Sequence, residues 1–227
     1  MFKAADLFDL SQTEHAALFD GDGPAWEVLP RIKDYLADNL QLTNHATVSS
    51  GAVVGENVFL GEGTVVEPGA TIIGPAIIGA NCQIRHNAYI RENVIIGDNC
   101  VIGNSCELKN ALLFNNCQVP HFNYVGDSIL GHHAHLGAGV VLSNFKSLPG
   151  DVTVQHGEEK IDTGLRKFGA LIGDHAELGC NSVLNPGSII GRRSVVYPNA
   201  NWRGVLAADR IAKHRGEMEL VERDASR

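Results

Sequence analysis

The chain has 227 residues and a formal charge of −8, with 18 lysines and arginines against 26 aspartates and glutamates. This acidic balance argues against a nucleic-acid partner, which needs a basic face, and no apolar run approaches the roughly 20 residues of a membrane span. The N-terminal segment carries acidic side chains and no long apolar stretch, so we expect no signal peptide, no membrane anchor, a cytoplasmic location and reduced cysteines.

Residues 1–41 are expected to form an N-terminal helical cap. The segment AWEVLPRIKDYLADNL after Pro24 spaces its apolar residues as an amphipathic helix does, and proline is favoured in the first turn of a helix. Pro30 lies inside the same segment and leaves the start of the helix open. We predict that this helix covers the open end of the repeat that follows, because the ends of repeat structures need a cap.

A six-residue repeat fills most of the remaining chain. Counting by six from Leu42 reaches thirteen large apolar residues in succession, the last being Phe114. The register then slips, returns at Leu130, and returns again at Ile172. The apolar residue is usually followed by a small or polar residue, most often one of the 25 glycines, which would let the chain turn at little steric cost.

The period of six determines the predicted fold. It fits neither the 3.6-residue helix nor an alternating strand, whereas it matches the hexapeptide β-helix repeat, in which each hexad is a short strand and a turn. Three hexads close one triangular coil, and coils stack at the strand spacing of roughly 4.8 Å. We therefore predict an all-β fold. It is a left-handed parallel β-helix of about seven coils over residues 42–201, with short helical N- and C-terminal flanks.

Three cysteines follow the same repeat. Cys82, Cys100 and Cys106 each stand four residues after an in-phase isoleucine, where the repeat places a small inward side chain. A metal or redox site would need convergent spacing such as CxxC, which the sequence lacks. We interpret these cysteines as packing residues.

Two segments interrupt the repeat, and loops on a rigid scaffold are where binding and catalysis concentrate. The first, 115–129, reads NNCQVPHFNYVGDSI and shifts the register. The second is a loop insertion over 145–171, whose halves DVTVQ and EKIDTG around HGE predict a protruding hairpin. Beyond the repeat, residues 202–227 are predicted to be a C-terminal helical tail, with a solvated helix over 205–224.

The motifs at these breaks resemble those of a known family. CELKN, PHFNYVGDS, GAGVVLSN and RKFGALIGD are similar to the acetyltransferase domain of bifunctional N-acetylglucosamine-1-phosphate uridylyltransferases. DTGLRKFGALIGD is similar to the archaeal sugar-1-phosphate nucleotidylyltransferase/acetyltransferases. The resemblance spans residues 54–196. It implies a homotrimeric enzyme of UDP-N-acetylglucosamine biosynthesis that transfers acetyl from acetyl-CoA to an amino-sugar 1-phosphate, with its sites between subunits.

The resemblance implies catalytic roles for two residues. His121 takes the place of the general base that accepts the proton of the sugar amine, and a neutral imidazole suits that task at physiological pH. Asn144 takes the place of an asparagine near the acetyl group, where its amide can position the thioester. Because the amine is itself the nucleophile, acetyl transfer needs neither a covalent enzyme intermediate nor a metal.

Four further residues are predicted to bind the sugar phosphate. Arg91 and Lys109 are 18 residues apart and each follows an in-phase aliphatic, so they lie on equivalent faces of successive coils. Two stacked cations favour a phosphate clamp, and the family has cations at the matching places. By the same resemblance, Tyr124 would contact the phosphate and Lys167 would reach the sugar. Arg85 is a weaker candidate.

For coenzyme A, the resemblance implies that Ala138 offers backbone groups to the pantetheine arm and that Cys180 stands where the family has a serine. The sequence also departs from the family: His135 replaces an asparagine that contacts substrate, and the loop 145–166 is unlike the short bacterial version. We expect no nucleotidyltransferase domain ahead of the repeat, since 53 residues cannot hold one. The identity of the amino sugar therefore stays open.

Two other functions fit the repeat. One is a non-catalytic trimeric scaffold or regulatory subunit of a sugar-nucleotide pyrophosphorylase. The other is a gamma-type zinc carbonic anhydrase, which needs three histidines around one metal. His86 and His121 are 35 residues apart, one short of two full coils. His132, His133 and His135 form a cluster, but alternation along a strand puts only the last two on one side.

Overall fold

The structure, a computed structural model, describes residues 2–213. Its parallel strands are arranged in three ladders that form the faces of a prism, as the repeat predicts. The all-β parallel β-helix is therefore confirmed, whereas its left-handed sense stays a prediction. Hexads form strands because each places one aliphatic inward and lets the chain turn immediately afterwards.

Each face is a ladder of short strands, counted here within residues 2–213. The first face has nine: Thr47–Val48, Val65–Val66, Gln83–Ile84, Val101–Asn104, Gln118–His121, His135–Leu136, Glu177–Leu178, Val195–Val196 and Ile211–Ala212. The second has eight: Val53–Val54, Thr71–Ile72, Tyr89–Ile90, the first half of Glu107–Leu113, the first half of Tyr124–Leu130, Val141–Leu142, Val183–Leu184 and Asn201–Trp202. The third has eight: Val58–Leu60, Ala76–Ile78, Val94–Ile96, the second halves of the two long strands, Ala170–Ile172, Ser188–Ile190 and Val205–Leu206.

The ladders extend past residue 201, the end predicted for the repeat. The predicted helix over 205–224 is wrong for its described part. Val205–Leu206 and Ile211–Ala212 are strands, because Leu206 continues the ladder beside Ile190 and is buried there. The rest of the predicted tail, 214–227, lies outside the described residues.

The core of the prism consists of the inward aliphatic residues of all three faces, and Cys82, Cys100 and Cys106 are buried among them. The interpretation of these cysteines as packing residues is confirmed: their thiols are free and buried. Burial raises the pKa of the Cys100 thiol far above its ordinary value, which keeps it protonated and unreactive.

The coils lose one residue at each of two places in the middle of the prism, and the second lies between Val125 and Leu130. Ile84 pairs with Ile102, 18 residues on, but Ile102 pairs with Val119, only 17 residues on. The first residue lost lies between Leu108 and Leu113, so counting by six to Phe114 overshoots the inward position by one residue. Leu113 fills the prism, and Phe114 packs outside it.

Asparagine, more than glycine, makes the tightest turns of the prism. Asn81, Asn87, Asn93 and Asn99 all have left-handed backbone φ angles between 55° and 60°, which asparagine tolerates better than most residues. Gly97, which follows the inward Ile96, is required for a different reason. A Cβ there would lie 2.8 Å from the Asn115 nitrogen of the next coil, so the close stacking of coils selects glycine.

The N-terminal segment lies along the third face. The prediction that it covers the open end of the prism is wrong. Its helical elements are Ala4–Leu7, Leu10–Gln12, Ala16–Phe19, Ala25–Arg31 and Ile32–Asn39, of which the first and last are α-helices and the others 3₁₀. Trp26 packs 5.9 Å from Phe168 and Phe8 packs 5.2 Å from Phe114, between ring centroids. The segment binds there because the outer side of the third face is apolar.

The insertion between Leu142 and Ala170 contains the predicted hairpin, with antiparallel strands Thr153–His156 and Glu159–Asp162. The hairpin does not protrude freely. Val152 and Val154 are fully buried in the same outer cluster as the N-terminal segment. The third face is thus covered by two elements, and the site must lie elsewhere.

Candidate functional site

The first corner, the turn between the first and second faces, carries three of the predicted site residues in one column. The Gly139 nitrogen donates to the His121 carbonyl at 3.0 Å, and the Asn181 nitrogen donates to the Ala138 carbonyl at 2.8 Å. These bonds join each turn to the same point of the turn in the previous coil. His121, Ala138 and Cys180 therefore stack along the prism axis.

His121 is exposed at the end of the strand Gln118–His121, in a turn that a buried side chain fixes. Asn123 is buried, accepts a hydrogen bond from the His121 backbone nitrogen at 3.1 Å, and donates to the Gly137 carbonyl at 2.8 Å. Phe122 has a left-handed φ of 53°, which projects the loop outward. The turn is rigid and its imidazole faces solvent, as a proton acceptor for a bound substrate requires.

The second corner, the turn between the second and third faces, brings Arg91 and Lys109 together. The Arg91 nitrogen donates to the Leu108 carbonyl at 2.9 Å, so the two cations are neighbours on successive coils, as predicted. Each is already paired with a carboxylate. Arg91 contacts Glu107 at 2.9 Å and Glu92 at 3.5 Å, and Lys109 contacts Glu92 at 3.3 Å.

Arg91 and Lys109 thus form a neutral network with Glu92 and Glu107 rather than an open cationic clamp. A hydrogen bond to Glu107 raises the pKa of Arg91 above its ordinary value. Glu92 lies between the two cations, so a phosphate that bound both would compete with this carboxylate. The sequence placed the cations correctly but gave no sign of their partners.

A buried carboxylate, Asp127, organises the same corner, and the sequence analysis missed it. Its side chain accepts a hydrogen bond from the Asn110 amide at 2.9 Å and a short one from the Asn144 amide. Because an ionised carboxylate only accepts, Asn144 turns its NH₂ group toward Asp127 and its oxygen away. The outward oxygen is an acceptor for any donor bound at the corner.

Tyr124 completes this arrangement from the second face. A Cβ on Gly126 would lie 2.6 Å from both the Tyr124 hydroxyl and the Asn144 amide nitrogen, so only glycine leaves room for the two side chains to meet. Burial raises the pKa of the Tyr124 hydroxyl, which stays protonated and able to donate.

The shortened coils are the signal that could have found Asp127. Asn110 and Asp127 occupy equivalent turns, each one residue shorter than the turn after Ile90, with φ angles of 46° and 45°. Positive φ angles also occur at ordinary turns of the prism, such as Asn93 with a φ of 60°, so the shortened spacing and not the φ angle distinguishes these two turns. The sequence analysis noted the register slip but placed it after Phe114.

The insertion brings Lys167 to the second corner. Phe145 and Lys167 pair across the base of the loop, the Phe168 nitrogen donates to the Asn144 carbonyl at 3.0 Å, and the Gly169 nitrogen donates to the Asp127 carbonyl at 2.8 Å. Lys167 also lines, with Asn110 and Asp127, an open concavity of about 300 Å³. Residues from three separate motifs therefore meet at one corner.

The predicted site residues fall into two groups on either side of the second face. His121, Ala138 and Cys180 form the first-corner column, while Arg91, Lys109, Asn144 and Lys167 belong to the second corner. Tyr124 lies between them on the face, whose two-residue strands span roughly 7 Å.

The histidines considered for zinc lie at three separate places on the prism. His86 and His121 share the first-corner column, but Asn104 lies between them, so they are two coils or roughly 10 Å apart. His135 lies on the first face and contacts Glu177 at 2.8 Å. His132 and His133 lie together beside His175 at the third corner, with ring centroids 4.3 Å apart, so the prediction that His133 shares a side with His135 and not with His132 is wrong. Within residues 2–213, no three His, Cys, Asp or Glu side chains are placed to hold a metal together.

Among the helices of the described residues, none is both long enough and apolar enough to cross a bilayer.

Comparison with known proteins shows similarity over part of the chain. Residues 72–159 match the family described as GMPPB C-terminal domain. A bifunctional sugar-1-phosphate nucleotidylyltransferase/acetyltransferase of Sulfurisphaera tokodaii is 34% identical over 93 residues, which are 41% of this chain and 23% of that protein. The bifunctional protein GlmU of Methanococcus aeolicus is 32% identical over 111 residues, 49% of this chain and 27% of that protein. The matched segments thus span about a quarter of each relative's length.

Solved structures were also compared. The UDP-N-acetylglucosamine acyltransferase of Campylobacter jejuni covers 73% of this chain and 69% of its own, with 15% identity and a TM-score of 0.39. The acetyltransferase domain of PglB from Neisseria gonorrhoeae, in complex with acetyl coenzyme A, covers 80% and 59%, with 12% identity and a TM-score of 0.29. The sequence matches confirm the predicted resemblance to the acetyltransferase part of the bifunctional enzymes.

Proposed function

We propose that this chain is an acyltransferase that moves an acetyl group from acetyl-CoA to the amine of an amino-sugar 1-phosphate. One observation carries the proposal. Asn144 of GAGVVLSN, Asp127 of HFNYVGD and Lys167 of RKFG lie far apart in sequence and meet at the second corner. Structural hexads alone would not need this convergence, because each coil is already closed by its own turns.

In the proposed reaction the sugar lies across the second face. Its amine nitrogen attacks the acetyl carbonyl carbon, and His121 accepts the proton that the nitrogen loses. The tetrahedral intermediate collapses by breaking the carbon–sulfur bond, and coenzyme A leaves as its thiol or thiolate. Ala138 and Cys180 continue the column of His121 and would flank the pantetheine arm.

At the second corner, Tyr124 and Lys167 would orient the sugar and the outward oxygen of Asn144 would accept a hydrogen bond from the attacking amine or the donor's amide. The phosphate would displace Glu92 from Arg91 and Lys109. We further propose a homotrimer whose neighbouring subunit completes each site, because both corners are open to solvent on the isolated chain. The cytoplasmic location stays a prediction.

The neutral ion-pair network favours a second candidate, a non-catalytic scaffold or regulatory subunit. In that case Arg91, Glu92, Glu107 and Lys109 would only stabilise the stacking of coils. A fully paired network needs no ligand, so the geometry of these four residues alone fits this function as well.

A thiol-release assay separates the two candidates. Wild-type protein with acetyl-CoA and glucosamine 1-phosphate should release coenzyme A, and His121→Ala should lower the rate by about 10²–10⁴-fold, the usual contribution of a general base. His86→Ala, in the same column two coils away, is the matched control and should retain the wild-type rate. No release with a panel of amino-sugar phosphates would favour the scaffold, and an undiminished His121→Ala rate would contradict the assigned base.

A further inference from the structure

The loop insertion has a concavity on each side of its base, and they differ in charge. One contains Asp127 and Lys167 and belongs to the site described above. The other, of about 260 Å³, lies toward the C-terminal coils and is lined by Ser143, Lys146, Ser147, Asn185 and Arg203 among others. No proposed role has so far used this second concavity.

The second concavity is cationic in an acidic protein. Lys146 and Arg203 line it, and none of its lining residues is an Asp or Glu. Over residues 2–213, the ion pairs neutralise Arg91, Lys109, Arg192 and others, but none involves Lys146 or Arg203. The positive charge of this concavity is therefore available to a ligand, whereas a ligand of Arg91 and Lys109 must first displace a carboxylate.

The loop base holds Lys146 at the rim. The Lys146 ammonium donates to the Asp151 carbonyl at 2.6 Å, which uses one of its three donors and leaves two. The Arg166 guanidinium stacks over the Phe145 ring at 4.3 Å and donates to the Gly150 carbonyl at 2.8 Å. These contacts order the segment that carries Lys146 before any ligand binds.

The lining chemistry and the size select the ligand. Two cations with the hydroxyls of Ser143 and Ser147 supply charge-assisted and neutral donors for several oxygens of one anion. A volume of about 260 Å³ is below that of most drug-sized pockets, and it fits a phosphoryl group with a small attached moiety. Ser143 directly precedes Asn144, so an anion here lies next to the proposed acetyl-transfer site.

We propose that this concavity is a phosphoryl-binding subsite formed by Lys146 and Arg203. The site itself rests on geometry and charge. The choice of ligand rests on the proposed function, which supplies two phosphorylated molecules: coenzyme A and the amino-sugar phosphate.

Calorimetric titration at low ionic strength tests the subsite without requiring activity. The probes are coenzyme A against pantetheine, which lacks the adenosine and all of the phosphates, and glucosamine 1-phosphate against glucosamine, which lacks only the phosphate. The double variant Lys146→Gln/Arg203→Gln should weaken binding of one phosphorylated probe by at least about tenfold, the loss expected from a charge-assisted contact. Lys160→Gln, an exposed cation on the hairpin, is the control and should change affinity less than about twofold.

The outcomes are distinct. A loss confined to coenzyme A assigns the subsite to the acyl donor, and a loss confined to glucosamine 1-phosphate assigns it to the acceptor. If the double variant binds both phosphorylated probes as the wild type does, or the wild type binds neither, the subsite is wrong. Wild-type binding without acetyl transfer would overturn the proposed function and leave the subsite standing. If the double variant transferred acetyl with unchanged KM values, the proposed function would stand and the subsite would be wrong.

Discussion

The second and third faces of the prism share one core but differ on their outer sides. On the third face, strands such as Val94–Ile96 are buried on both sides, because the N-terminal segment and the hairpin cover them. On the second face, strands such as Tyr89–Ile90 bury only the inward residue. The two faces have the same backbone ladder, and the outward residue of each hexad determines whether a face is covered or open.

This division separates stability from function. The covered face adds a second hydrophobic cluster to the core of a thin prism, whose faces are otherwise one layer deep. The open face keeps both of its corners accessible to ligands. Substitutions on the two faces should therefore change different measured quantities.

Removing a side chain from the covered face should cost the most. Ile95 is fully buried beneath the N-terminal segment, and Ile95→Ala should lower the free energy of unfolding by about 2–5 kcal/mol. Val65→Ala, at an outward and partly exposed position of the first face, is the control and should cost well under half as much. Urea unfolding measures both. Equal losses would contradict the distinction between covered and open faces.

Asp127 should affect activity more than stability. Asp127→Asn keeps the shape but removes the carboxylate that fixes the Asn144 amide, so kcat/KM should fall by about 10- to 100-fold, the equivalent of one charge-assisted hydrogen bond. Asp151→Asn, on the exposed loop, should have no effect. If the variant lost stability and kept its activity per folded molecule, Asp127 would be a structural residue only.

Substitution of Glu92 should improve substrate binding, by less than substitution of Asp127 lowers kcat/KM. Glu92→Gln removes the carboxylate that competes for Arg91 and Lys109, so the KM for the sugar phosphate should fall by about threefold or more, within the range of a partly exposed ion pair. Glu56→Gln, an exposed acid without such a contact, is the control. A raised KM would show that Glu92 holds the cations in place instead of blocking them.

The smallest effect concerns pH and the covered face. His15, in the N-terminal segment, donates to or accepts from the Tyr35 hydroxyl at 3.0 Å, and burial holds its pKa below the ordinary value. The unfolded histidine, with a pKa near 6.5, takes up a proton that the folded one resists. Stability should therefore fall as pH drops through 6.5.

Thermal unfolding between pH 7.5 and 5.5 checks this, with His15→Gln as the comparison. The variant should show a shallower loss of stability across that range. Some loss should remain, because burial also lowers the pKa of His132. An identical slope in both proteins would mean that His15 does not contribute.

The site was predictable where it depended on the repeat and unpredictable where it depended on partners. Spacing by 18 placed Arg91 beside Lys109, and the structure agrees. The spacing did not predict the role of Glu92, because a carboxylate that directly follows Arg91 in the sequence can point to either cation or to solvent. Asp127 was missed for a similar reason: its partners Asn110 and Asn144 are 17 residues away in either direction, which an 18-residue period does not bring to notice.

The sequence by itself determined the coil, because a period of six with inward aliphatics has one compact solution, three short strands around an apolar interior. It also determined that Cys82, Cys100 and Cys106 pack inside. Only the tertiary structure decided which face was covered, where the N-terminal segment lay and that residues 205–212 form strands. Those outcomes depend on which apolar surfaces remain after the coil has formed, and burial of surface is non-directional and specified by no local pattern.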